Sequence, residues 1–211
     1  MKLKTLFAAL FATIIFIFTS GVQAADQPYQ IVEPAQPTHS GDKIEVTEIF
    51  WYGCPHCYAF EPYVEKWLKN KPDDVVFRRV PGVLGRDWMA HARAYYTAEQ
   101  LGILDQIHRP LFDAIHKDRR KIFTGEQLRD FFAEHGVDKD EFTKIFNSPE
   151  VTEKIKQAFI EGQNYKVTGV PTVIVNGKYR TSASMAGSYQ KLIDVIKQLV
   201  DMERSNNTDK E

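Results

Sequence analysis

Two cysteines, Cys54 and Cys57, are the only ones in the chain. They enclose a Pro-His pair in Cys54-Pro55-His56-Cys57. An apolar β-like run (44–52) ends just before this tetrapeptide, and an amphipathic helical pattern (58–68) begins just after it. C-x-x-C where a strand hands over to a helix reads as a dithiol/disulfide redox site. A helix beginning at or near Cys54 aims unsatisfied backbone N–H groups and the positive end of its dipole at the Cys54 sulfur. His56, when protonated, adds positive charge. Both effects favour the thiolate and lower the Cys54 pKa. Two other readings of the motif compete with this one. A structural zinc site needs four Cys or His ligands, and the remaining histidines, at 39, 91, 108, 116 and 135, are scattered without a paired spacing. An inert structural bridge across two residues closes a very small loop and removes little chain entropy.

The start of the chain carries an export signal. Lys2 and Lys4 precede an almost unbroken apolar run (6–18), and Val22-Gln23-Ala24 offers small residues for cleavage. The run is shorter than the roughly 20 residues of a spanning helix, so cleavage near Ala24 and export are expected in preference to an uncleaved anchor. The whole chain of 211 residues has 27 Lys and Arg against 28 Asp and Glu, a net charge of −1. This gives no basic excess for nucleic acid and no polybasic run for a membrane surface. An exported protein meets an oxidising compartment. A chain that exchanges disulfides with others, and holds no thiol outside its C-x-x-C, avoids scrambling itself.

The elements that must position the cysteines follow from periodicity. A short edge strand is expected at 29–32, then a proline-bearing linker. Along 44–52 the even positions are Ile44, Val46, Glu48 and Phe50. The Glu48 carboxyl therefore shares a face with apolar neighbours. Two readings stay open: a buried acid of raised pKa that accepts or relays a proton from Cys57, or a solvated glutamate on a half-exposed strand. Phe60, Tyr63, Val64, Trp67 and Leu68 form the core stripe of the next helix, in which Pro62 predicts a kink or an early end. A second strand at 75–80 completes a β-α-β unit with parallel strands. Residues 86–166 read as helical throughout. A capping box from Thr124 to Gln127 opens one of these helices and Gly136 closes it. The aromatics at 95, 96, 131, 132 and 146 read as core. The β signal returns at 166–175, turns at Asn176-Gly177 in type I′ fashion, and runs back over 178–181. A terminal helix at 189–202 is followed by a polar segment expected to be disordered.

With these motifs assembled, the chain resembles the DsbA family of periplasmic thiol:disulfide oxidoreductases over nearly its whole mature length. Cys54-Pro55-His56-Cys57 has that family's dipeptide. Gly169-Val170-Pro171-Thr172 resembles its cis-proline loop, and Glu48, six residues before Cys54, matches its buried acid. The resemblance implies an α/β thioredoxin fold with an inserted helical domain. A signal peptide (1–24) precedes a thioredoxin-like domain made of 25–85 and 167–203; the insert is 86–166 and the disordered tail 204–211. It implies a dithiol oxidase that passes its Cys54–Cys57 disulfide to exported proteins. Cys54 forms the mixed disulfide, Pro55, His56 and Glu48 tune the potential, and Val170 and Pro171 meet the client. The redox-active disulfide is then the only cofactor, with no metal and no nucleic acid. Reoxidation falls to a quinone-linked inner-membrane partner of the DsbB type, and a monomer is expected. A disulfide isomerase or reductase on the same fold is the nearest alternative, though about twenty residues before the central strand are too few for a separate dimerisation module. A metal-binding C-x-x-C module is the alternative from another class.

Overall fold

The computed structural model describes residues 27–208; the export signal expected at 1–24 and the residues 209–211 lie outside them. In chain order the elements are β1 (Gln30–Ile31), β2 (Ile44–Phe50), α1 (Pro55–Leu68), β3 (Val75–Pro81), α2 (Arg86–Gln100), α3 (Leu104–His116), α4 (Gly125–Glu134), α5 (Lys139–Phe146), α6 (Pro149–Asn164), β4 (Thr172–Val175), β5 (Tyr179–Ser182), α7 (Ala183–Ala186) and α8 (Tyr189–Thr208). The sheet order is β1-β5-β4-β2-β3. β2 and β3 are parallel, as a helical crossover requires, and the β4–β5 hairpin adds antiparallel strands on the other side of β2. All seven residues of β2 are buried, which suits a central strand.

Two apolar clusters hold this arrangement. One joins Ile44 and Val46 of β2 and Val173 and Val175 of β4 to Val64 and Trp67 of α1 and to Leu192, Ile196 and Leu199 of α8. The other joins Ile49 and Phe50 to the inserted helices through Tyr95, Leu111, Phe112, Phe131 and Phe132. Each fully buried side chain of this size contributes roughly 1.5–3 kcal/mol. The five aromatics read as core, Tyr95, Tyr96, Phe131, Phe132 and Phe146, are all buried. The second cluster runs from β2 into the insert without a break, so the helical domain and the C-x-x-C share one core.

Local signals act where the sequence places them. The Thr124 side chain accepts from the Gln127 N–H, and the Gln127 side chain returns the bond to the Thr124 N–H. Asn176 and Gly177 have φ of 51° and 66°, the left-handed pair of a type I′ turn. A Cβ on Gly177 would lie 2.0 Å from the Gln36 carbonyl oxygen. Of the two outcomes expected at Pro62, the early end does not occur: α1 continues through it to Leu68. Pro62 lies on the solvent face, where water can satisfy the carbonyl that its missing N–H leaves free. The terminal helix runs to Thr208, so residues 204–208 are helical rather than disordered. Buried Glu203 pairs with Lys178, and Arg204 pairs with Asp74 at 2.8 Å, so this turn is tied to the domain. The short helix α7, between the hairpin and α8, had no sequence expectation.

Candidate active site

Cys54 is the N-cap residue of α1, with extended backbone (φ −90°, ψ 117°) and Pro55 at the first helical position. Its own N–H donates to the Trp51 carbonyl at 3.0 Å and its carbonyl accepts from the Tyr58 N–H at 3.1 Å. The turn is compact because Gly53 lies under the Trp51 indole; a Cβ there would come within 2.4 Å of that ring. Trp51 in turn stacks on Trp88 of the insert, with ring centres 4.5 Å apart and planes 6° from parallel. His116 donates from Nε2 to the Tyr52 carbonyl at 2.7 Å. The helical domain thus grips both residues before Gly53-Cys54.

The two cysteines are free thiols in this structure, and their surroundings drive them apart. The Cys54 pKa falls to about 6: the Cys57 thiol donates to its sulfur, and this, with the backbone N–H groups of Cys57 and His56 and then the charge of His56, outweighs the effect of burial. The neutral Cys54 thiol makes no cap hydrogen bond to the helix; the N–H groups gain their hold when the sulfur ionises. Cys57 is fully buried. Burial first, then its hydrogen bond to Cys54 and the charges of Cys54 and Glu48, push its thiol well above the ordinary range.

Val170 and Pro171 come to the site from the loop before β4. Their peptide bond is cis, and Cys54 Sγ donates to the Val170 carbonyl oxygen at 3.4 Å. An open cleft of about 750 Å³ is lined by His56, Tyr63, Val170, Pro171, Ser184 and Tyr189. The structure therefore brings together Cys54, Pro55, His56, Cys57, Val170 and Pro171.

Glu48 is completely buried, which settles its burial between the two sequence readings. Its Oε2 accepts from Arg79 Nε at 3.2 Å, while Oε1 is buried with no hydrogen-bond partner. Burial first, then repulsion from Glu61, raises its pKa to about 8 against the pull of Arg79. Its charge acts on both sulfurs. Sequence reasoning missed the company Glu48 keeps. Arg79 also donates to Glu61 at 3.0 Å, Glu61 meets His108 Nε2 at 3.3 Å, and His108 Nδ1 meets the Tyr52 hydroxyl at 2.9 Å. Glu61 carried a usable signal: it falls four residues after Cys57 on the buried side of α1. His108 carried none, because its partner Tyr52 is 56 residues away. Among the described residues no cluster of three or more His, Cys, Asp and Glu is placed to hold a metal ion.

Comparison with known proteins agrees with this geometry. The profile of the DSBA-like thioredoxin domain matches residues 79–196, more than half of the chain. The chain is 43% identical over 173 residues to the thiol:disulfide interchange protein DsbA of Azotobacter vinelandii, covering 80% of this chain and 81% of that one. It is 42% identical over 203 residues to the protein of the same name from Pseudomonas syringae pv. tomato, covering 94% of each. Among solved structures, the crystal structure of Pseudomonas aeruginosa DsbA superposes with a TM-score of 0.82 at 39% identity, over 86% of this chain and 95% of that one. The oxidoreductase DsbA of Xylella fastidiosa gives 0.79 at 33% identity, over 84% and 95%.

Proposed function

The chain belongs to the DsbA family and is a thiol:disulfide oxidoreductase, and we propose that it acts as a dithiol oxidase, passing its Cys54–Cys57 disulfide to reduced exported proteins. The observation that carries this reading is the contrast within one helical turn: a Cys54 thiolate favoured at the helix start beside a buried thiol held neutral. A reduced form stabilised in this way makes the disulfide oxidising. In the first step a client thiolate attacks the Cys54 sulfur. The client–Cys54 bond forms, the Cys54–Cys57 bond breaks, and Cys57 leaves with the electron pair and takes up a proton. A second client thiolate then attacks the client sulfur of the mixed disulfide. Cys54 leaves as a thiolate, which its low pKa favours, and the client holds the disulfide.

Glu48 is suited to handle the Cys57 proton. It stays protonated up to about pH 8, and its Oε1 has no other partner. In the oxidising direction it supplies the proton to Cys57 as that sulfur leaves, and it takes the proton back on reoxidation. The Val170 carbonyl beside Cys54 gives an extended client segment a backbone edge to pair with. His56 and Pro55 set the potential through the helix start. Export with cleavage near Ala24, work in the periplasm, and reoxidation by a quinone-linked membrane partner of the DsbB type complete the proposed cycle.

The test uses reduced, unfolded client proteins. The disulfide form is expected to oxidise them stoichiometrically. Cys57→Ser is expected to accumulate client adducts through Cys54, and Cys54→Ser to form none. Adducts through residue 57, or clients left reduced by the wild-type disulfide, contradict the proposal.

A further inference from the structure

His56 is exposed, yet its ring is held. Its Nδ1 lies 3.1 Å from the hydroxyl oxygen of Tyr189. Tyr189 opens α8, where Ser188 caps the helix: the Lys191 N–H donates to the Ser188 hydroxyl at 3.2 Å, and the Leu192 N–H donates to its carbonyl at 2.9 Å. The phenol ring packs on fully buried Phe60, with ring centres 5.8 Å apart, and against Tyr63 at 5.7 Å. The hydroxyl is therefore aimed by packing, and its position does not depend on His56. A phenol can both donate and accept. It donates to Nδ1 of a neutral ring and accepts from Nδ1–H of a protonated one. Burial first, then the charges of Cys54, Cys57 and Tyr63, raise the Tyr189 pKa, which keeps it an uncharged phenol. In both states of His56 the nitrogen is spoken for. The Cys54 sulfur takes its stabilising contacts from the Cys57 thiol and the backbone N–H groups of Cys57 and His56, with the imidazole contributing only charge.

We propose that Tyr189 is a positioning residue that withholds His56 Nδ1 from the Cys54 sulfur, and so limits how strongly the dithiol form is stabilised. A protonated imidazole released from the phenol can turn its Nδ1–H toward the thiolate, and a charge-assisted hydrogen bond is stronger than charge alone across the same gap. Tyr189 thereby tunes the redox centre from the far end of the sequence, through one hydroxyl. The inference rests on the dithiol chemistry proposed above.

The test is a double-mutant cycle with Tyr189→Phe, which keeps the ring contacts, and His56→Ala. The Cys54 pKa is read from thiolate absorbance, and the equilibrium constant against glutathione is read in parallel. Tyr189→Phe alone is expected to lower the Cys54 pKa by about half a unit. The equilibrium should move about threefold toward the dithiol, about 15 mV at 29.6 mV per tenfold. In the His56→Ala background the same substitution is expected to change neither. A pKa that stays or rises in Tyr189→Phe overturns the proposal. An equal fall without His56 overturns it as well, since the hydroxyl would then act on Cys54 directly. The wild-type potential is a separate reading, so failure of the oxidase proposal shows independently of the cycle.

Discussion

Two glutamates three positions apart on β2 each meet an arginine of β3, yet they end in opposite protonation regimes. Glu45 is nearly as buried as Glu48. Burial pushes its pKa up, but the His39 N–H, Arg78 and the Thr47 hydroxyl together outweigh that and hold it below the ordinary range. Its oxygens accept at 2.8 Å from His39, 2.9 Å from Arg78 and 3.0 Å from Thr47. Arg78 also bonds Glu161 on α6, so Glu45 itself is served by one arginine and two neutral donors. Glu48 shares Arg79 with Glu61 and leaves Oε1 unpartnered. Arg79 lies directly across the strand pair from Glu48, while Glu45 faces Val76 and takes Arg78 from opposite Thr47; beyond that, the count of donors separates a structural clamp from a group poised to trade a proton. The under-supplied carboxylate is the one that acts on the cysteines.

The largest expected effect comes from removing the shared arginine. Arg79→Met strands the ionised, buried Glu61 and takes from protonated Glu48 its one donor, and is expected to cost about 3–5 kcal/mol of stability. Arg78→Met leaves Glu45 its two neutral donors and is expected to cost about 1–3 kcal/mol. Urea unfolding of both variants at neutral pH measures the gap, and equal costs would erase the distinction between the two clusters.

Next in size is a pair of pH signatures of opposite sign. Glu48 has its folded pKa raised to about 8, so the native state holds a proton that the unfolded state has lost. Stability from this group therefore falls as pH rises from about 4.5 to about 8 and is level above that. Glu45 has its folded pKa lowered, so its contribution is present above about 4.5 and lost as pH falls through the folded value. Glu48→Gln is expected to flatten the profile between pH 5 and 8, and Glu45→Gln to flatten only its acid limb. Unfolding midpoints across the range read both, and a Glu48→Gln profile with the wild-type slope would show that Glu48 is ionised in the fold.

The smallest effect belongs to His56. Its charge follows the Cys57 thiol and both backbone N–H groups among the influences that lower the Cys54 pKa. His56→Ala is expected to raise that pKa by about half to one unit, and the backbone is expected to keep it below the ordinary thiol value. Thiolate absorbance against pH decides this; a return to the free-cysteine value would give the histidine the main role.

The redox motif was legible in the sequence because its determinants are local. Cys54-Pro55-His56-Cys57 at a strand–helix junction places the sulfur at a helix start by chain geometry alone. Asn176-Gly177 and the Thr124–Gln127 capping box likewise need only neighbouring residues. The alternation of β2 put Glu48 among apolar side chains but left its burial open, because alternation does not say what covers that face; α1 packs on it and brings buried Glu61 to the same Arg79. The Arg79–Glu61–His108 chain depends on the β2–β3 register, which sets Arg79 opposite Glu48, and on the docking of α3. The phenol that holds His56 lies 133 residues away. The polar end of the chain read as disordered because Glu203 and Arg204 find their partners on distant segments, at Lys178 and Asp74.

The equilibrium reduction potential of the Cys54–Cys57 pair, measured across a glutathione buffer series, tests most directly whether this fold stabilises the dithiol. A Cys54 thiolate favoured as strongly as the helix start implies predicts a potential well above the about −270 mV of thioredoxin. A thioredoxin-like value would mean that the reduced form gains nothing from its surroundings, and that the protein is poised to donate electrons rather than to take them.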